Sequence, residues 1–364
     1  MKINGSDYRS IWYDKNAGTV NIIDQTLLPH EFRIQQLQSL PEVCHAITSM
    51  QVRGAPLIGV TAVFGLYLAL KHDALALAAA QKELLKTRPT AVNLAWALDR
   101  ASSQIDSVDA AAKADKALAV ACLMADEDVQ VCEAIGEHGL ELLQALWQQK
   151  KDTSQPLNVL THCNAGALAT VDWGTALSVI YKAHVANIPL HIWVDETRPR
   201  NQGASLTCWE LEQQGIPYSL IVDNAGGHLM QIGKVDVCIV GSDRTTAHGD
   251  VCNKIGTYLK ALAAQDNGVP FYAAVPISSI DFSLAVGHGA IPIEERHASE
   301  VTHIRGINRL GNPSTVRITS QNAPVSNFGF DITPARLVSG IITEKGVLPA
   351  SEKGLEGINR FGSA

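Results

Sequence analysis

The sequence predicts an α/β fold in two parts: a mainly helical N-terminal domain with a β-hairpin over 1–150, and a parallel-sheet domain over 151–364. Three observations predict it. From 40 to about 151 the apolar residues recur at helical spacing. Beyond that, short apolar runs recur at 157–160, 190–194, 218–222, 235–240 and 271–275, with helix-like segments at 174–187, 204–214 and 254–265 between most of them. Strands alternating with helices of this length imply βαβ units and a parallel sheet. The polar stretch KKDTSQP over 150–156 separates the two rhythms.

Taken in order, the runs at 9–13 and 19–23 flank Asp14-Lys15-Asn16-Ala17-Gly18, which has the turn chemistry of a hairpin. Helical patterns follow over 55–70, 75–86, 91–105 and 109–149, punctuated by Pro56, Pro89 and Gly139. The segment 223–234 is too short for more than about two helical turns. Residues 304–325 are rich in Asn, Pro, Ser and Arg and read as a long ordered loop. Thr333 before Pro334 reads as a helix N-cap with proline in the first turn, opening a helix over 335–345.

The 364 residues are 46% hydrophobic, enough for a sizeable core, and carry a net charge of −7. Nucleic acids and anionic membranes need a basic footprint, so neither is expected as a partner. A phosphorylated small molecule is compatible, because one or two placed cations can hold a phosphate. The seven cysteines form no CxxC pair and are odd in number, the pattern of reduced thiols. The first 14 residues contain no apolar signal core. The greasy stretch 55–70 is short and interrupted by Pro56 and two glycines. A soluble, cytoplasmic protein is the expectation.

The most informative stretch is VGSDRTTAHGDVCNKIGTY over 240–258. An apolar run ends there in glycine, an acid (Asp243) and a polar loop, then Asn253-Lys254 before a new periodic segment. That is the C-terminal end of a buried strand, where open α/β sheets bind ligands. Asp243 is either a local cap or ion-pair partner of Arg244, or a proton donor. Cys163, in THCNAG after the first strand of the sheet, is either a packed thiol or a reactive one. If both lie at one sheet edge, they pair groups of different intrinsic pKa, suited to divide proton donation from removal. The segment VDETRPRNQ over 194–202 ends with Gln202 before Gly203 and a helix start, a layout that binds hydroxyls or an anion. Arg53-Gly54-Ala55-Pro56 opens another helix with free N–H groups and a guanidinium. Arg88-Pro89-Thr90 repeats the form, and Lys254 marks a third helix start. The glycines after Asp223 are not GxGxxG, and there is no P-loop, so no nucleotide cofactor is expected. Neither HExxH nor a Cys/His cluster is present, so no catalytic metal is expected.

Together, RGAPLIG, RPTAVNL, THCNAG, DETRP…QGA, GSDR…GDV-NKIGTY and FDITPARLVSGIITEKG resemble the 5-methylthioribose-1-phosphate isomerases, relatives of the α, β and δ subunits of translation initiation factor 2B. The match runs from about Ile11 to Leu348. The resemblance implies a helical N-terminal domain with a hairpin, a Rossmann-like C-terminal domain, a homodimer, and a metal-free, cofactor-free aldose–ketose isomerisation of a phosphorylated pentose. It implies that Cys163 and Asp243 are the catalytic pair, and that Arg53, Gly54, Ala55, Arg88, Gln202, Asn253 and Lys254 bind substrate. With phosphate on C1, the ring cannot open by simple loss of a hemiacetal proton. A donor must assist cleavage of the ring C–O bond, which suits a buried, protonated Asp243.

Two departures bear on the C5 substituent. Ser205 stands where many of these enzymes have arginine, and His248 where asparagine is usual; both are expected beside the site. The substrate reading therefore covers 5-methylthioribose 1-phosphate and 5-deoxyribose 1-phosphate, with an apolar, weakly charged pocket for C5. The alternatives are a ribose-1,5-bisphosphate isomerase and a non-catalytic regulatory subunit. Retention of both Cys163 and Asp243 favours an enzyme.

Overall fold

The short apolar runs assemble into one seven-stranded sheet. In the computed structural model, which describes residues 1–88 and 92–359, the strands lie in the order Gly346–Leu348, Gly340–Thr343, Phe271–Ala274, Val237–Val240, Leu157–Thr161, Leu190–Asp195, Tyr218–Ile221. Every neighbouring pair is parallel except the edge pair Gly340–Thr343 and Gly346–Leu348. Numbered along the chain, the six parallel strands run 3-2-1-4-5-6, the doubly wound order. The order reverses between Leu157–Thr161 and Val237–Val240, which pair through Leu160 and Cys238. THCNAG and GSDR leave the C-terminal ends of these two strands, so both open onto the crevice at the switch point.

The central strands are buried on both faces. Val159, Ile192, Val194, Val237 and Ile239 pack to one side with the helix Ala176–Val185, while Leu160, Cys238, Val240 and Ala273 pack to the other with Thr257–Asp266. This is the period-2 alternation of a sheet covered twice.

In the N-terminal part, the helix Ala55–His72 is buried continuously from Leu57 to Leu70. It is long and apolar enough to cross a membrane, yet 78% of that stretch is buried inside the protein. The helices Leu40–Thr48, Leu77–Thr87 and Val92–Ile105 surround it. The predicted hairpin is present as Ile11–Asp14 and Thr19–Ile23, with Ile34–Leu37 added as a third strand. The helix Lys113–Gln149 serves both parts: Val120, Ala121 and Met124 join the N-terminal core, and Ile135 and Leu143 the sheet core. Gly139 does not interrupt it. A Cβ there would lie 2.2 Å from Val179, so this glycine lets the helix Ala176–Val185 come close.

Three sequence expectations fail. Residues 304–325 contain a hairpin, His303–Ile307 with Pro313–Arg317. Residues 335–345 form a 3-10 turn, Ala335–Leu337, then the sheet strand Gly340–Thr343; Thr333 ends a strand, Phe330–Thr333, and caps no helix. The β-branched run Ile341-Ile342-Thr343 wins there because it fills the place beside Phe271–Ala274. Lys254 closes the strand Val251–Lys254 instead of opening a helix, which begins at Thr257 after Gly256 (φ +102°). That strand belongs to a small second sheet, in the order Ile280–Asp281, Arg244–Thr246, Val251–Lys254, Phe330–Thr333, set at the crevice mouth.

Candidate active site

All nine residues read from the sequence as catalytic or substrate-binding line one cavity at the switch point. The N-terminal part supplies Arg53, Gly54, Ala55 and Arg88, and the sheet domain supplies Cys163, Gln202, Asp243, Asn253 and Lys254. Pro89 and Thr90 lie outside the described residues.

Cys163 is buried and sits in the left-handed region (φ +66°), unusual for a residue with a side chain. Three groups hold it. Its N–H donates to Thr197 Oγ1 at 2.8 Å, its carbonyl accepts from Thr207 Oγ1 at 2.6 Å, and its thiol donates to Gln202 Oε1 at 3.4 Å. The next residue, Asn164, is fixed by Arg53, which donates to its Oδ1 at 2.5 Å and its carbonyl at 2.8 Å. Buried Glu210 gathers the rest of the turn, accepting from Asn164 Nδ2, Tyr181 Oη and the Ala167 N–H at 2.7–2.8 Å. A reactive thiol on a mobile loop would wander; this one is tethered at backbone and sulfur.

Asp243 meets the cavity with part of its surface and is otherwise enclosed by protein. Burial pushes its carboxyl above the ordinary range. The nearby charges of Lys254, Arg53 and Arg88 oppose that shift, and Glu294 adds to it. Burial pulls the Lys254 ammonium down, opposed by Cys163 and Asp243, so this lysine is electrostatically linked to both members of the pair. Lys254 Nζ donates to the Gly329 carbonyl at 3.1 Å and lies 4.6 Å from the Phe330 ring centroid. Asn253 is buried and donates to Thr257 Oγ1 at 3.1 Å.

One wall of the cavity combines a helix start with cations, a layout suited to an anion. Gly54 caps the helix Ala55–His72 at φ +98°, and a Cβ there would fall 2.2 Å from the Ala169 carbonyl oxygen. Only glycine lets the free N–H groups of that helix start face the cavity at this closeness. Arg88 pairs with Glu294 at 3.5 Å, and its buried Nε has no partner among the described residues. That leaves a guanidinium donor available for an incoming oxygen.

Sequence reading missed the polar layer beneath the site. His162 also lines the cavity; its Nδ1 lies 2.8 Å from Asp195 Oδ2 and its Nε2 2.9 Å from the Ile255 carbonyl. Among the described residues, one group of three potential metal ligands converges, His162, Asp195 and Asp223, within 4.8 Å. The Lys260 ammonium occupies that neighbourhood, 3.1 Å from Asp195 Oδ2 and bonded to the Asp223 carbonyl. Asp195 and Asp223, each at the end of a predicted strand, carried a signal in the sequence; His162 and Lys260 did not.

The two departures are placed differently. His248 is not among the residues lining the cavity; it lies 3.6 Å from Glu352 of the C-terminal helix, at the protein surface. Ser205 lines an adjoining outer cavity that shares Met50, Arg53 and Gln202 with the site, and its hydroxyl is bonded to the Asn201 carbonyl. That outer cavity also contains Arg200 and Arg305, so it is more charged than Ser205 alone implied. Arg200 pairs with Glu300 at 3.0 Å, and Arg305 donates to the Thr26 carbonyl.

The model of the initiation factor 2 subunit family matches residues 51–350. A methylthioribose-1-phosphate isomerase of Methylorubrum populi is 57% identical over 360 residues, covering 98% of each chain. The crystal structure of 5-methylthioribose 1-phosphate isomerase from Pyrococcus horikoshii OT3 superposes with a TM-score of 0.83 at 39% identity, covering 98% of this chain and 97% of that one. The translation initiation factor eIF-2B, subunit delta, from A. fulgidus superposes with 0.80 at 35% identity, covering 98% and 100%. The chain therefore belongs to the methylthioribose-1-phosphate isomerase family, within the wider initiation factor 2 subunit family.

Proposed function

We propose that this chain converts 5-methylthioribose 1-phosphate to the corresponding ribulose 1-phosphate, an aldose–ketose isomerisation in methionine salvage. The observation that carries the reading is one cavity holding a carboxyl raised by burial, a thiol and three cations, Asp243 and Cys163 among Arg53, Arg88 and Lys254. The names of the relatives support the substrate. The helix start at Gly54-Ala55, with Arg88, holds the C1 phosphate. Asp243, as the neutral acid, protonates the ring oxygen as the C1–O bond breaks. Hydrogen then moves from C2 to C1, the C2 hydroxyl proton returns to Asp243, and C2 becomes the carbonyl. If that hydrogen travels as a proton, Cys163 is the group placed to carry it. If it travels as hydride, the thiol shields the carbon centre from water.

The partner is thus a phosphorylated pentose. A homodimer in the cytoplasm, with neither nucleic acid nor membrane as a partner, belongs to the same reading, and the net charge of −7 supports its last element. The test is turnover of 5-methylthioribose 1-phosphate, 5-deoxyribose 1-phosphate and ribose 1,5-bisphosphate by purified protein, after exhaustive chelation and without added nicotinamide. We expect the methylthio and methyl substrates to be used with a modest difference, because one small apolar group is worth roughly 1–3 kcal/mol. Preference for the bisphosphate, no turnover of any of the three, or strict dependence on a metal would overturn the proposal.

A further inference from the structure

We infer that Glu294 is a positioning residue: at the end of a row of alternating charges it grips one terminal nitrogen of Arg88 and leaves the Nε of that guanidinium for the substrate phosphate. That the anion is a sugar phosphate rests on the proposed isomerase function; the row itself does not.

The row runs from the inner cavity to the outer one. Arg88 Nη2 lies 3.5 Å from Glu294 Oε2, and Arg296 Nη1 lies 2.8 Å from Glu294 Oε1, so two guanidinium groups share this carboxylate, one oxygen each. Arg296 also donates from Nε and Nη2 to Glu300, at 2.9 and 2.8 Å. Glu300 accepts in turn from Arg200 Nη1 at 3.0 Å. Burial works to raise the Glu300 carboxyl, but Arg296 and Arg200 pull it down to about 2, so it stays ionised. Arg88 lines the inner cavity, and Glu300 and Arg200 line the outer. Each carboxylate thus stands between two cations, and the row of three guanidinium groups and two carboxylates ends on a cation. Beyond Arg88 the next place in the alternation falls in the inner cavity, and an anion there completes it.

Arg88 follows the helix Leu77–Thr87 and enters the cavity from the N-terminal part. Burial works against its charge, and Glu294 opposes that shift. A guanidinium is a planar fork on a flexible stem, and it binds an oxyanion well only when the fork is aimed. With Nη2 on Glu294, the buried Nε is the donor left without a partner among the described residues. Glu294 also acts through its main chain. Its carbonyl accepts the Gly329 N–H at 2.8 Å, and the Gly329 carbonyl accepts from Lys254 Nζ at 3.1 Å. One residue therefore helps to place a cation from each of the two parts that meet at the site.

The test is calorimetric titration of the full chain with inorganic phosphate, beside kcat and KM for 5-methylthioribose 1-phosphate. Glu294→Ala should weaken phosphate binding about tenfold, the scale of one charge-assisted hydrogen bond. It should raise KM by a similar factor with kcat nearly unchanged. Glu294→Gln, which keeps an acceptor at the same reach, should lose less. The main-chain bond to Gly329 survives in both variants. In an Arg88→Ala background, Glu294→Ala should cost little more, because the group it positions is gone. A merely structural role would add its loss to that of Arg88→Ala. Unchanged or tighter phosphate binding in a folded Glu294→Ala overturns the inference, as do additive losses. If Glu294→Ala does not fold, Glu294→Gln with and without Arg88 decides by the same comparison. A parent chain that binds phosphate but turns over no sugar phosphate would defeat the isomerase reading alone, while the titration still judged Glu294.

Discussion

The surroundings of Cys163 and Asp243 differ in a way that suits the proposed division of proton donation and removal. The thiol is bonded to a neutral amide oxygen, whereas the carboxyl is deprived of water. Cys163→Ser and Asp243→Asn should each lower kcat by about 10²–10⁴-fold while KM changes little. A raised KM with unchanged kcat would make them binding residues only. The sign of the pH dependence follows from the raised Asp243 carboxyl. The acid form persists above the ordinary carboxylate range and is lost as pH rises through the shifted value, so turnover should fall on the alkaline side of that value. In Asp243→Asn, the residual rate should lack this limb, measured as kcat against pH. At this scale the sequence was informative where chemistry has a recognisable setting: an acid, a cysteine or an arginine beside a glycine at a strand or helix end. His162 and Lys260 had no such setting. A lysine in an amphipathic helix reads as solvated, and only the fold reveals that Lys260 points inward onto Asp195.

The helix Ala55–His72 depends on Gly54 to bring its N-terminus to the cavity. Gly54→Ala adds a Cβ into the Ala169 backbone at a positive φ. It should cost more than about 1 kcal/mol of stability and should weaken phosphate binding as the helix start withdraws; thermal melts and phosphate titration measure the two. Asp128, on the helix Lys113–Gln149, makes a separate prediction. Burial raises its carboxyl from 3.8 to about 7, opposed by the Val171 N–H and assisted by Asp172. The neutral acid is the form the fold favours. Its contribution is therefore fully present below the unfolded value and lost as pH rises through about 7. Asp128→Asn keeps an acceptor for Val171 and cannot ionise, so it should raise Tm above neutral pH and change it little in acid. An equal shift at both ends would refute the ionisation argument. Element types were legible where periodicity was long, as in the helices. They were misread where tertiary pairing decided, as at Gly340–Thr343, whose neighbours in sequence look helical but whose partner strand is Phe271–Ala274. The turn after Lys254 was misread for a related reason: Gly256, not the lysine, marks where the helix begins.

Across the whole molecule, the cavity is a seam. The helix-start backbone and two guanidinium groups come from the N-terminal part, while the thiol, the acid and the lysine come from the sheet domain. Alternating strands and helices foretold the parallel sheet and the C-terminal edge where the cavity lies. Nothing in sequence order foretold that Arg53 would reach across to bond Asn164, because that contact spans 111 residues. A substrate seated here touches both parts at once, so binding should couple to global stability. For a ligand that binds only the folded state, the stabilisation at a hundredfold excess over Kd is about 2.7 kcal/mol. A non-reacting analogue that keeps the 1-phosphate should therefore raise Tm, whereas the same sugar without phosphate at equal concentration should raise it far less. Arg88→Ala and Lys254→Ala should each reduce the rise, since a cation–phosphate contact is a charge-assisted bond that neutral side chains do not replace. Cys163→Ser should leave it intact, because serine still fits the cavity and touches no phosphate. A Tm response indifferent to the phosphate, or equally reduced in Cys163→Ser, would place the anion somewhere other than the helix start at Gly54.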